Sequence, residues 1–108
     1  DEGFYVLEKV AEAPVDFRYV EVNPACERQS GIPNPLGRRM REVLPNVEER
    51  ALAFFDGVAT TGRPGRFEQH VREGDLWLDL HAYRIQESPP RVAVVFTNVT
   101  ERKRREGS

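Results

Sequence analysis

From Leu76 to Ile85 the chain alternates with a strict period of two. Leu76, Leu78, Leu80 and Ala82 share one parity; Trp77, Asp79, His81, Tyr83 and Ile85 share the other. That is the period of a β-strand, whose successive side chains point to opposite faces; on a helix these leucines would not gather on one stripe. The segment therefore belongs in a sheet whose leucine face is covered, and the rest of the chain has to supply the cover. Val92 to Val99 is a near-continuous apolar run, the pattern of a strand that sits centrally with both faces partly covered. Arg66 to Arg72 also alternates, with Phe67 and Val71 on one side and Arg66, Glu68, His70 and Arg72 on the other. Gly74-Asp75 and Pro89-Pro90 mark the connections between these strands.

The cover is found upstream. Phe4 to Val10 and Phe17 to Val22 read as two strands joined by the polar, Pro-containing turn Ala11 to Asp16. Asn23-Pro24 predicts a helix start, because Asn caps free amides and Pro at the first helical position gives up no hydrogen bond. Gly31 stops this helix after about two turns. Ile32 to Pro45 holds three prolines, Gly37 and the basic residues Arg38, Arg39 and Arg41, and reads as irregular or short helical connections. Asn46 with Glu49 resembles a capping box, and Val47, Ala51, Phe54, Phe55 and Val58 form the apolar stripe of an amphipathic helix that ends at Gly62. Thr100 to Glu106, charged and Pro-free, reads as a helix leaving the domain. Strands and helices are thus segregated along the chain, which points to an α+β fold with an antiparallel sheet covered on one face.

At 108 residues the chain has the size of one compact domain. Its net charge of −2 argues against nucleic-acid binding. The basic run Arg102-Lys103-Arg104-Arg105 lies between Glu101 and Glu106 and fits a solvated helix. The longest apolar stretch, Val92 to Phe96, is too short to cross a bilayer, so no membrane insertion of this segment is expected. Cys26 is the single cysteine, which excludes an internal disulfide and fits a cytoplasmic setting. The chain lacks an initiator Met and a basic opening, and reads as a piece of a larger protein with Gly107-Ser108 as a cloning remnant.

Four segments, in order, resemble the PAS family of sensory domains. Glu21-Val22-Asn23-Pro24-Ala25-Cys26-Glu27-Arg28-Gln29-Ser30-Gly31 is similar to the family's N-P-A-F-x-x-x-T-G segment. Leu36-Gly37-Arg38 through Val43-Leu44-Pro45 resembles the G-R…L-P segment that comes after it. Trp77-Leu78-Asp79-Leu80 looks like the aromatic start of the fourth strand, and Asn98-Val99-Thr100-Glu101-Arg102-Lys103 resembles the D-I-T-E-R-K junction to an output helix. The resemblance implies a five-stranded antiparallel sheet of order 2-1-5-4-3, with short helices and one longer helix enclosing a pocket on one face. It also implies a sensor domain over residues 1–100 and the start of a signalling helix over 101–108. The parent would be a sensor histidine kinase of a two-component system or a diguanylate cyclase, and the domain a homodimer working beside flanking domains of its own chain.

On that template the pocket wall would comprise Val20, Val22, Cys26, Met40, Leu44, Phe54, Phe55, Leu78, Leu80, Ala82, Val94 and Phe96. The lining is almost wholly apolar, so the simpler expectation is a filled core, with a small apolar or aromatic ligand as the alternative. Flavin photochemistry is disfavoured, because Met40 stands where light-oxygen-voltage domains have their cysteine and Phe96 where they have a glutamine. Haem is disfavoured because Val47 to Thr61 contains no histidine. His70 and His81 read as surface residues rather than metal ligands, and no metal is expected. Cys26 replaces the family's aromatic and reads as a small core residue, with a reactive thiol as the minority alternative. Trp77, Tyr83 and Ile85 are large apolar groups on the face without helices and mark a dimer or partner surface. Asn98, Thr100, Glu101 and Arg102 form the signal junction; Asn98 replaces the usual Asp, which predicts a weaker anchor.

A different class of function is a small α+β isomerase or hydrolase using Asp79 and His81, two apart on one strand face, as an acid/base pair. No Ser-centred elbow, Gly-rich phosphate loop or spaced metal set accompanies them, so no catalytic residue is assigned.

Overall fold

The computed structural model describes residues 1–107; Ser108, half of the expected remnant, lies outside them. Five strands form one antiparallel sheet: β1 (Gly3–Glu12), β2 (Val15–Val22), β3 (Gly65–Val71), β4 (Leu76–Gln86) and β5 (Arg91–Asn98). Their order is β2-β1-β5-β4-β3, as the resemblance implied. Helices α1 (Pro24–Ser30), α2 (Met40–Val43) and α3 (Glu49–Thr61) lie between β2 and β3, and α4 (Thr100–Glu106) comes after β5.

The alternation in β4 divides the sheet as expected. Leu78, Leu80 and Ala82 are buried against the helices with Leu7, Phe17, Leu52, Phe55, Val92, Val94 and Phe96. Aromatic rings join across this core: Tyr5 meets Tyr19 at 5.2 Å and Phe96 at 5.5 Å, and Phe17 meets Phe55 at 6.1 Å. A Cβ built on Gly3 would lie 2.3–2.8 Å from the Phe96 ring, so the first strand needs the bare backbone there.

The β1–β2 hairpin is longer and tighter than expected, turning at Ala13-Pro14. Its register runs Tyr5↔Val22, Val6↔Glu21, Leu7↔Tyr19, which leaves Val20 as an extra, unpaired residue. This bulge resets the parity of β2. Tyr19 and Val22 both pack on the core, whereas Val20 does not.

Helix α3 starts two residues later than an Asn46 cap would predict. Its N-cap is Glu48, without a side-chain cap bond. Tertiary partners take the groups a capping box would need. The Asn46 amide donates to Glu73 Oε2 (2.9 Å), and the Glu49 carboxylate accepts two bonds from Arg41 (2.7 and 3.0 Å). Arg41 also donates through Nε to the Val15 carbonyl, and its amide donates to the buried Asp16, so β2, α2 and α3 are tied at one point. At its other end α3 closes on Gly62 (φ 75°), a left-handed cap glycine tolerates. Arg84 donates there to the Ala59 carbonyl, placing a cation at the negative helix end. Lys9 on β1, almost buried, pairs with Asp56 of α3 at 2.7 Å.

Candidate functional site

Most of the expected pocket wall is the packed core itself. Cys26, Met40, Leu44, Phe55, Leu78, Leu80, Ala82, Val94 and Phe96 all belong to it, each at most 3% exposed. Phe54 sits at its margin, stacked on Phe67 at 5.0 Å. Val20 is a correction to the expected wall, since the bulge turns it away. Gln69 was not anticipated. It shares the parity of Phe67 and Val71, stands opposite Leu78 and is 2% exposed, and among the described residues its Nε2 has no hydrogen-bond partner. The alternation of β3 already placed it on the apolar face, so its position was legible though its burial was not.

Two clefts lie at the edge of this core. One, of about 330 Å³, opens between Val22, the start of α1 (Pro24, Cys26, Glu27) and the Asn34–Leu36 segment. The other, of about 120 Å³, lies between Ile32, Leu44, Val71 and Leu76. Cys26 borders the first, yet burial pushes its thiol up to about 11, so it is held protonated at neutral pH. A thiol in that state is a poor nucleophile.

The sheet face away from the core is divided. Its β3–β4 end is occupied by α4. Trp77 stacks on His70 (4.8 Å), and Lys103 Nζ stands 4.7 Å over the indole. Glu68 on β3 accepts from both Arg102 (2.7 Å) and Lys103 (3.0 Å). Trp77, expected on a partner surface, is thus covered by this chain's own helix. Tyr83 and Ile85 remain 42% and 52% exposed.

Asn23 does not cap α1 with its side chain. Its Oδ1 accepts from the Phe4 amide and its Nδ2 donates to the Glu2 carbonyl, which pins the start of β1 to the start of α1.

Where β5 passes into α4, hydrogen bonds converge from three elements. Asn98 Oδ1 accepts from the Thr100 amide (3.0 Å) and hydroxyl, and the Trp77 amide donates to Thr100 Oγ1 (2.9 Å). The Asn98 amide donates to Gln29 Oε1, and Asn98 Nδ2 donates to the Gln29 carbonyl, both at 3.0 Å. The second of these requires a donor that an Asp carboxylate lacks. Relative to the usual Asp, Asn98 gives up charge and gains a bond to α1. Glu101 is exposed, with Oε1 3.5 Å from Arg105.

The hydrogen-bond partner of Asp79 is Arg66, not His81. Asp79 faces Arg66, which donates to both its oxygens (2.9 and 2.8 Å) and holds the carboxyl below its usual range. His81 stands opposite Arg66 and His70 opposite Trp77, so the histidines are not cross-strand neighbours. Among the described residues no cluster of three or more His, Cys, Asp or Glu is arranged to hold a metal, and no helix is long and apolar enough to cross a membrane.

Helices packed on one face of a five-stranded antiparallel sheet, with a further helix led off the last strand, make this an α+β fold. The chain is similar to a solved structure described as "the domain of the putative light and redox sensing histidine kinase from Haloarcula marismortui". The two share 15% identity over 93% of this chain and 90% of that one, with a TM-score of 0.63. At that identity the likeness is one of fold. No protein-family model matches the chain, and no curated protein matches it.

Proposed function

We propose that this chain is a PAS-type sensory input module of a multidomain signalling protein, relaying a conformational change through α4 to an effector. The observation that carries this reading is the double attachment of α4. The helix is docked on the outer face by Glu68 and Trp77, and its root is bonded to α1 through Asn98 and Gln29. A change at α1, or at the β3–β4 end of the sheet, then alters the energy of the docked helix. Only a stimulus that favours one of two such arrangements transmits anything. Similarity to a domain of a histidine kinase supports the same reading, and a sensor histidine kinase or diguanylate cyclase is the parent we propose, acting in the cytoplasm.

The module acts as a homodimer through Tyr83 and Ile85, the exposed apolar groups that α4 leaves uncovered on the outer face. No flavin or haem is assigned, and a small ligand is the stimulus. The test is a fusion of this chain to a histidine-kinase catalytic core, read by autophosphorylation. Thr100→Val removes the hydroxyl's bonds to Asn98 and Trp77, leaving the amide bond to Asn98, and is expected to change the basal rate severalfold. An unchanged rate overturns the relay through this junction. Sedimentation equilibrium tests the pairing: Ile85→Glu is expected to shift a dimer toward monomer, and a parent chain that is monomeric at high concentration overturns it.

A further inference from the structure

We infer that the cleft beside α1 binds a small cationic amphiphile, a primary amine on an apolar or aromatic body, and that α1 carries its occupancy to the output junction. The second half rests on the sensory reading above; the first does not.

The cleft, about 330 Å³, lies at the low end of the range of about 300–1,000 Å³ for small-molecule sites. Its walls are mostly apolar: Val22, Pro24, Pro35 and Leu36, the last 57% exposed at the rim. Asn23 also borders it, but both ends of its amide are already used by Phe4 and Glu2. The polar groups left over are the Glu27 carboxylate and the Asn34 side chain. Among the described residues neither has a hydrogen-bond or ion-pair partner. A carboxylate only accepts hydrogen bonds, and an amide oxygen adds another acceptor. An ammonium group, with three donors and a positive charge, satisfies both. An anion would be repelled by the Glu27 charge, and a neutral alcohol would gain no charge attraction from it.

The route outward is short. Gln29 lies two residues beyond Glu27 on the same helix, and both its side-chain oxygen and its carbonyl oxygen are hydrogen-bonded to Asn98. A seven-residue helix is about 10 Å long, so the cleft end of α1 and Gln29 are less than two turns apart. Displacement of its first turn by a ligand therefore strains or relaxes the Asn98 bonds at the root of α4. This site lies outside the core that the apolar residues fill.

The experiment titrates benzylamine, benzyl alcohol and benzoate into the isotope-labelled chain and tracks its backbone amides by NMR. Benzylamine is expected to shift Val22, Cys26, Glu27, Asn34 and Leu36, and to bind more tightly than the alcohol, with benzoate weakest. Glu27→Gln, a change at an exposed position, is expected to weaken benzylamine by about two- to fivefold, the scale of an exposed ion pair, and to leave the alcohol unchanged. Equal affinities for all three probes, or no shift at the cleft, overturn the site and leave the sensory role standing on its own tests. The second measurement is the response of the Asn98 and Thr100 amides to benzylamine. It is expected in the parent chain and reduced in Gln29→Ala, which removes the side-chain bond to Asn98, keeps the backbone carbonyl bond and retains the cleft shifts. Binding without any response at Asn98 and Thr100 overturns the link through α1 while retaining the site.

Discussion

Replacing Gln69 by methionine is expected to stabilise the protein. Gln69 lies on the core side of β3 between Phe67 and Val71, 2% exposed, with an amide nitrogen that has no acceptor among the described residues. A buried donor left without a partner costs about 1–3 kcal/mol, because its bond to water in the unfolded chain is lost and not replaced. Methionine has nearly the same length and volume and no amide, so the cost is removed while the contacts with Leu78 and its neighbours are kept. We expect a gain of about 1–2 kcal/mol, and for a domain this small each kcal/mol raises Tm by about 4–8 °C. Urea unfolding monitored by the fluorescence of Trp77, the single tryptophan, gives the change as a shift in midpoint at constant slope. Gln69→Ala is the companion: it also removes the amide, but opens a cavity, and should fall about 2–5 kcal/mol below the methionine variant. A methionine variant less stable than the parent by about 1 kcal/mol or more would refute the reasoning. The amide would then be hydrogen-bonded in solution, and Gln69 would be a polar anchor rather than a defect.

Gly3→Ala places a methyl group against the Phe96 ring and is expected to destabilise by about 1–3 kcal/mol, as measured by the same urea midpoints. Asp79→Asn tests the Arg66 pair by its pH dependence. The folded-state pKa of Asp79 is depressed, so its contribution is present above the unfolded value of about 3.9 and is lost as pH falls through the folded one. The variant should be less stable than the parent at neutral pH, with the gap closing only in acid; a gap independent of pH rules out the charge pair as its source. Glu68→Ala removes the shared acceptor of Arg102 and Lys103 and should release α4 from Trp77, seen as a red shift in indole emission and faster amide exchange over Thr100–Glu106. An unaltered spectrum would place the docking of α4 elsewhere.

Local chemistry made much of this molecule readable in advance. The period-two pattern of β4, the apolar run of β5 and the stripe on α3 each reflect which side chains must leave water, and burial is a property of the pattern itself. Glycine and proline marked α1 and the end of α3 because they act on their own backbone. The start of α3 was misread because the Asn46 backbone amide is taken by Glu73, on the far side of β3, and the Glu49 carboxylate by Arg41 of α2. Val20 was misassigned because a bulge depends on how two strands pair, and one extra residue reverses the parity of the rest of the strand.

The fold class, the strand and helix inventory, the core face of the sheet and the position of the C-terminal helix are therefore written in the sequence, through local spacing and hydrophobic burial. Only the tertiary structure decided which polar groups meet: Asn98 with Gln29, Glu68 with Arg102 and Lys103, Asp79 with Arg66, and Gln69 with nothing. Hydrogen bonds and ion pairs are directional and short-ranged, and their partners here are brought together from separate elements. A pattern along one segment cannot specify them.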